Sequence, residues 1–423
     1  MKNTSKTEPP EEKIGVLNAL PFLICLLGII SIQRSQGVSI EDNGSIFYQL
    51  AYGVAYVFAL FLILKKLPES IVLFKNYWMY LGFLFYALSS VFWSQFPLKV
   101  VVQWLHYVGS TLVCIAMLLV VLNRKKALEN TFLIFATLII PTSLFVVFFV
   151  PSIGISTADG ARWVGLAGNP NTLGIVALLS VWACIIVLLN EGAIWKKTLA
   201  GTLLLLSFVC LIGSNSVTST VLSVFIVMSI VLISIFKSGN LESSLIKLIV
   251  LFFVAILGIF LIYLILPEML SEKWFFESVG RSETFTGRLV LWEMAEKAIG
   301  QKPLMGWGFD GLKSMSTAFD LKFTQLHNGY YDIIVRGGYL ALGFIVFFSI
   351  KMIFHLFRIW RFDKYTVAKI LPLVIAIYLH NVTEASFMRS PHDLWLMFIF
   401  LYMYLHSIRE DNNALSRNRQ TVV

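Results

Sequence analysis

Charge is what this sequence has least of. Asp, Glu, Lys and Arg make up 13% of its 423 residues, about half the share usual in a soluble domain, while 58% are hydrophobic. That composition excludes an ordinary soluble chain. Charge-free runs recur along nearly the whole length, most of them long enough to cross a hydrocarbon core that takes about 20 residues. Runs such as Leu248–Leu266 are unbroken rather than alternating, which excludes a membrane barrel as well.

Other scarcities exclude chemistries. Four cysteines, Cys25, Cys114, Cys184 and Cys210, all fall inside apolar runs, so neither a metal cluster nor a disulfide framework is expected of them. There is no phosphate-binding glycine loop, dinucleotide fingerprint or Ser–His–Asp ordering. Asp159, Asp310, Asp320 and Asp332 stand singly and well separated, without the several converging oxygen ligands a hard cation needs. A metal-independent reaction without a cofactor is the expectation. The centres of the first nine apolar runs hold no Asp, Glu, Lys or Arg, which argues against ion-coupled transport.

What is present reads as an all-α polytopic membrane protein of about twelve spans. They are expected near 14–32, 46–64, 77–93, 100–122, 131–150, 172–189, 198–213, 218–236, 248–266, 338–354, 367–382 and 393–408. The first span is too long for a signal-peptide core and lacks a small-residue cleavage site behind it. Basic residues fill alternate breaks: Lys65, Lys66 and Lys75; Arg124, Lys125 and Lys126; Lys196 and Lys197; then Lys351, Arg358, Arg361, Lys364 and Lys369. The other short breaks carry single cations at most: Arg34, Lys99, Arg162, none at 213–217, and Arg389. This pattern predicts both termini in the cytoplasm and the long 267–337 loop outside, and it accounts for the net charge of +9 without nucleic acid as a partner. The whole chain, 1–423, reads as one integral membrane domain.

The 267–337 loop is the one long hydrophilic interruption, and a loop of that length is seldom mere connection. Within it, Arg288–Ile299 reads as a short amphipathic helix with Thr286 as N-cap and Gly300 as its stop. Arg288 in its first turn fits two readings. One is a bidentate clamp on a diphosphate, reinforced by the helix N-terminus; the other is a guanidinium snorkelling to lipid headgroups. Arg162, ahead of the sixth span, and Arg281 are further guanidiniums that could converge with it. His327 lies about ten residues before the tenth span, where an imidazole can act as general base, and the amide of Asn328 beside it can orient a sugar. Glu384 and Arg389 read as a supporting pair or as helix-end charges. The run at Ser214–Ser219 reads as a polar hairpin.

RWVGLAGNPNTLG from Arg162, the Ser/Thr-rich hairpin, TGRxxxW at Thr286–Trp292, PLMGWGF at Pro303–Phe309 and HN at His327 with the glycines that follow occur in an order and topology that resemble the O-antigen ligase and polymerase superfamily. The resemblance covers about 160–355, and TGRxxxW with GWGF looks nearest to the exopolysaccharide-polymerase branch. It implies a helical bundle like the membrane glycosyltransferases, located in the bacterial cytoplasmic membrane. The implied reaction transfers a glycan from an undecaprenyl-diphosphate carrier to an acceptor sugar hydroxyl, as polymerase or alternatively as ligase onto lipid A core. It carries the family's outer-loop histidine onto His327, its helix-entry arginine onto Arg288 and its arginine before the sixth span onto Arg162; with the reading of the residues themselves, His327 and Arg288 are expected to be catalytic, and Arg162, Arg281, Asn328, Trp292 and Glu384 substrate-binding. Bilayer lipid, and a flippase or chain-length regulator, are the implied partners. The sequence departs from the pattern at Val217, near which relatives carry a cation, and at Ala341. A transporter of lipid-linked oligosaccharide is the reading from another class.

Overall fold

A computed structural model describes residues 16–27, 46–122, 126–157, 160–190, 192–235, 284–320 and 325–420. It is a helical bundle. The chain runs through α1 (Leu20–Leu27), α2 (Ile46–Lys65), α3 (Leu67–Asn76), α4 (Trp78–Ser89), α5 (Pro97–Val121), α6 (Ala127–Phe149) and the single turn α7 (Pro151–Gly154). It continues through α8 (Pro170–Leu189), α9 (Ile194–Ser214), α10 (Val217–Ile235), α11 (Thr284–Gln301), α12 (Lys313–Ala318), α13 (Gly329–Trp360), α14 (Lys364–Thr383) and α15 (Asp393–Gln420). The strands among the described residues are β1 (Ile155–Ser156) and β2 (Arg162–Trp163), an antiparallel pair that sets Ser156 opposite Arg162.

Six helices, α5, α6, α8, α9, α13 and α14, are each long and apolar enough to cross a membrane. The apolar parts of α2, α10 and α15 are shorter, and α3 and α4 form a pair bent by 76°. Six of the twelve expected spans therefore meet the length test among the described residues, and the ninth, 248–266, lies outside them. Exposed Leu, Val, Ile and Phe side chains run along α2 and the second half of α13, where a bilayer would replace water as solvent.

Helix α8 is the spine. It packs against α6, α9 and α10, while α10 lies on α14, and α13 on α14 and α15. Trp182 fills the core between them and donates its Nε1 proton to the Lys369 carbonyl at 2.8 Å. One end of the bundle carries the cations: Lys369 pairs with Glu129 at 3.3 Å and Lys196 donates to Asn130 at 2.9 Å. At the opposite end the N-termini of α8, α10 and α13 meet the C-termini of α9 and α14. The candidate site is built there.

Helix α11 differs from its expected bounds. It starts at Thr284, and Gly300 does not stop it; it runs to Gln301, just before Pro303. A glycine costs a helix only about 1 kcal/mol relative to alanine, whereas proline breaks the hydrogen-bond ladder. Arg288 consequently sits in the second turn rather than the first. The helix buries Ala295 and Ala298 in a small separate core with Trp307, Leu312, Met315, Leu326 and Val335.

Candidate functional site

Two loops fix the site. Asn328 precedes α13, and its Oδ1 accepts from the backbone N–H groups of Tyr330 (2.9 Å) and Tyr331 (3.1 Å), a helix N-cap. Its Nδ2 donates to the Val382 carbonyl at 3.2 Å, tying the cap to the end of α14. His327 therefore stands one residue outside the helix. Its φ of 49° is a left-handed conformation uncommon for a side chain other than glycine, and the rigid cap behind it holds it there.

The second loop is GWGF. Gly338 breaks α13 with φ 64° and ψ −170°, so the residues before it form a separate helical segment from the apolar span after it. Into that break the loop docks backbone to backbone. Trp307 N–H donates to the Val335 carbonyl (2.8 Å) and Gly308 N–H to that of Arg336 (2.9 Å), while Tyr339 N–H donates to the Pro303 carbonyl (2.8 Å). A Cβ on Gly338 would lie 2.0 Å from the Leu304 carbonyl oxygen. The glycines of GWGF and RGGY thus serve close backbone approach, and the aromatic anchors sit in the core rather than at a sugar.

Glu384, at the C-terminal cap of α14, is the hub. Its Oε2 is 3.0 Å from His327 Nδ1. Its Oε1 accepts from Arg288 Nη2 at 3.0 Å and from Asn171 Nδ2 at 3.1 Å. Arg288 Nη1 also donates to the Thr383 carbonyl at 2.8 Å, so its guanidinium lies against the end of α14. Glu384 is 8% exposed, too little for water to balance its charge, and the three partners do so instead. Burial alone would raise the Glu384 carboxyl. The hydrogen bond from His327 and the charges of His327 and Arg288 outweigh that and hold it down at about 2.

A second arm reaches the same carboxylate. Arg162 donates through Nε to the Ser214 carbonyl (2.8 Å) and through Nη2 to that of Asn215 (3.2 Å) and to Asn171 Oδ1 (3.0 Å). A guanidinium on the last carbonyls of α9 neutralises the negative end of that helix. Asn169 caps α8, Pro170 takes its first position, and the next residue, Asn171, bridges Arg162 to Glu384. Thr218, beside Val217 at the start of α10, closes the gap to Thr383 with a 2.9 Å hydroxyl contact.

The sequence-named residues are largely brought together. His327, Arg288, Glu384 and Arg162 form one connected network; Trp292 joins it through its Nε1 proton, donated to the Leu326 carbonyl at 2.9 Å. Asn328 borders the site, with its amide engaged in the cap. Arg281 lies outside the described residues. Arg389 stands apart from the hub, 3.7 Å from Asp332, which pairs with Arg336 beneath the 384–391 loop. His380 is buried inside α14. Asn171 and Gln325, whose amide nitrogen is 3.3 Å from both nitrogens of His327, were not singled out by the sequence. The NPN spacing at 169–171 carried the only available signal, a cap followed by a residue aimed past the helix end.

The site can hold an imidazole with its Nδ1 proton on a carboxylate and its Nε2 lone pair toward the Gln325 amide, a contact that an incoming hydroxyl would replace. Among the described residues no three His, Cys, Asp or Glu side chains stand close enough together to hold a metal ion. No curated protein matches the chain. A family model described as O-antigen ligase matches residues 202–348, a stretch that includes the hairpin, Arg288, the GWGF loop and His327. Over that stretch, about a third of its length, the chain is similar to the O-antigen ligase family, in keeping with the superfamily that its motifs resemble.

Proposed function

We propose that this protein transfers a glycan from an undecaprenyl-diphosphate carrier to an acceptor sugar hydroxyl, without a metal, at the outer face of the bacterial cytoplasmic membrane. The family match implies a glycosyltransferase-like enzyme acting on lipid-linked glycans in a multi-pass membrane protein. The observation that supports the finer reading is the Glu384–His327 dyad, one bond away from Arg288 on the same carboxylate. The chain would cross the membrane twelve times with both termini inside, its core at 160–355 and its 267–337 loop outside.

In this reading Nε2 of His327 takes the acceptor's hydroxyl proton as that oxygen attacks the anomeric carbon. The bond from the anomeric carbon to the phosphate oxygen breaks, and its electron pair leaves on the lipid diphosphate, with inversion at carbon. Glu384 holds the imidazole in one tautomer and balances the imidazolium that forms, as a carboxylate does in a catalytic triad. Arg288 and Arg162 place fixed positive charge where the diphosphate gathers negative charge. The base would contribute on the order of 10²–10⁴ in rate.

The motif detail favours a polymerase that joins repeat units over a ligase that delivers glycan to lipid A core, with a flippase or chain-length regulator as partner. The glycolipid profile of cells lacking the protein separates the two. Single repeat units accumulating on the carrier are the expected result. Full-length polymer on the carrier, unattached to core, would identify a ligase, and an unchanged profile would end the assignment. Accumulation of repeat units on the inner leaflet would point to a transporter instead.

A further inference from the structure

We propose that Trp292 and Tyr331 form an aromatic platform for the acceptor sugar, which stacks on it so that its hydroxyl meets His327. The proposal rests on the reading of His327 as general base and goes beyond it by naming the acceptor subsite.

The two rings come from different helices, α11 and α13, yet their centroids are 6.0 Å apart with planes inclined by 36°. Both are half-buried, and both are anchored at their polar ends. Trp292 donates its indole proton to Leu326, the residue before His327, and Tyr331 donates its hydroxyl to Glu296 Oε1 at 2.6 Å. Tyr331 is also bound through its backbone to the Asn328 cap, the residue after His327. The platform is thereby fixed on both chain neighbours of the imidazole.

Its rim is polar. The Glu296 carboxylate is exposed, and the Gln325 amide nitrogen lies 3.3 Å from the imidazole. An anchored aromatic face with a carboxylate and an amide at its edge suits a pyranose: the apolar C–H face lies on the rings, and the equatorial hydroxyls find acceptors and a donor. A bare interfacial aromatic belt would need neither anchor nor rim. The Arg288–Glu384 pair, with Arg162 behind it through Asn171, joins the imidazole at Nδ1, whereas the platform is tied to its chain neighbours Leu326 and Asn328.

The test uses the intact protein in nanodiscs and, as probe, the repeat-unit oligosaccharide of the cells that make it, freed from its carrier by mild acid. Saturating the protein's aromatic protons should transfer to the pyranose ring protons of the probe; absence of transfer in the wild-type protein overturns the platform without any variant. Tyr331→Leu keeps an apolar side chain in the small core and removes the face, whereas Tyr331→Phe keeps the face. The leucine variant should weaken probe binding and raise the acceptor KM by about ten-fold, with kcat within about two-fold, and the phenylalanine variant, which keeps the face and loses the anchor on Glu296, should fall between it and wild type. Equal loss in both, or in neither, contradicts the stacking role. His327→Ala should bind the probe normally and fail to turn it over. Normal turnover by His327→Ala would sink the base reading while leaving the binding result to stand or fall by itself.

Discussion

Replacing Glu384 by Gln changes one atom's charge and almost no volume, at the point where every arm of the site meets. The amide oxygen can still accept from Arg288 and Asn171, which lie on the Oε1 side. The amide nitrogen then faces His327 Nδ1, and two donors cannot share that contact. The imidazole must shift its proton to Nε2, which removes the lone pair the acceptor hydroxyl requires. The equivalent change in a catalytic triad costs about 10⁴ in kcat, and a loss of 10²–10⁴ is expected here. Stability falls as well. The carboxyl is held at about 2, below the ordinary glutamate value of about 4.3, a depression corresponding to roughly 3 kcal/mol. Because the folded value is the lower one, that contribution is complete above about pH 4.5 and lost as the pH falls from there toward 2. The assay is single-turnover transfer from a synthetic undecaprenyl-diphosphate glycan, paired with thermal unfolding in detergent at pH 7 and pH 3. Glu384→Asp should recover part of the rate, since it restores the charge at a shorter reach. A glutamine variant with wild-type kcat would refute the idea that Glu384 sets the tautomer. A wild-type unfolding temperature unchanged between pH 7 and pH 3 would refute the electrostatic account of the hub.

Arg288→Lys keeps the charge and cannot reach both Thr383 and Glu384 with fixed fork geometry; kcat should fall by at least about ten-fold at near-normal expression, and near wild-type turnover would deny the arginine a specific role. Gly338→Ala should destabilise the protein by about 2–4 kcal/mol, read as lost monodisperse yield and a lower unfolding temperature, because a Cβ there meets the Leu304 carbonyl at a φ that disfavours side chains. Purified enzyme should keep its activity in excess EDTA; loss restored by a divalent ion would remove the metal-free reading. A cysteine at Lys313 should label with an impermeant thiol reagent in intact spheroplasts and one at Lys197 should not, and the reverse would invert the orientation.

Much of this was legible in the residues because the signals are local. Span positions follow from unbroken apolar length, and the tenth was placed at 338, where Gly338 does break α13. His327 and Arg288 stood out as isolated polar groups in a hydrophilic loop. What the sequence could not carry is pairing across long separations. Glu384 lies 57 residues from His327, 96 from Arg288 and 213 from Asn171, and nothing in its neighbourhood marks it as the hub rather than a helix-end charge. The amide of Asn328 looked like a sugar contact because capping is invisible until the helix start is known. The docking of GWGF is invisible in the sequence because the gap that receives it is made by a glycine 30 residues later.

The central claim is that His327 is the base of this transfer. Purified His327→Ala protein, presented with an undecaprenyl-diphosphate glycan and an acceptor oligosaccharide, measures it most directly. The account predicts a fold-competent protein that binds both substrates and transfers on the order of 10²–10⁴ times more slowly. Robust turnover by that variant would contradict it.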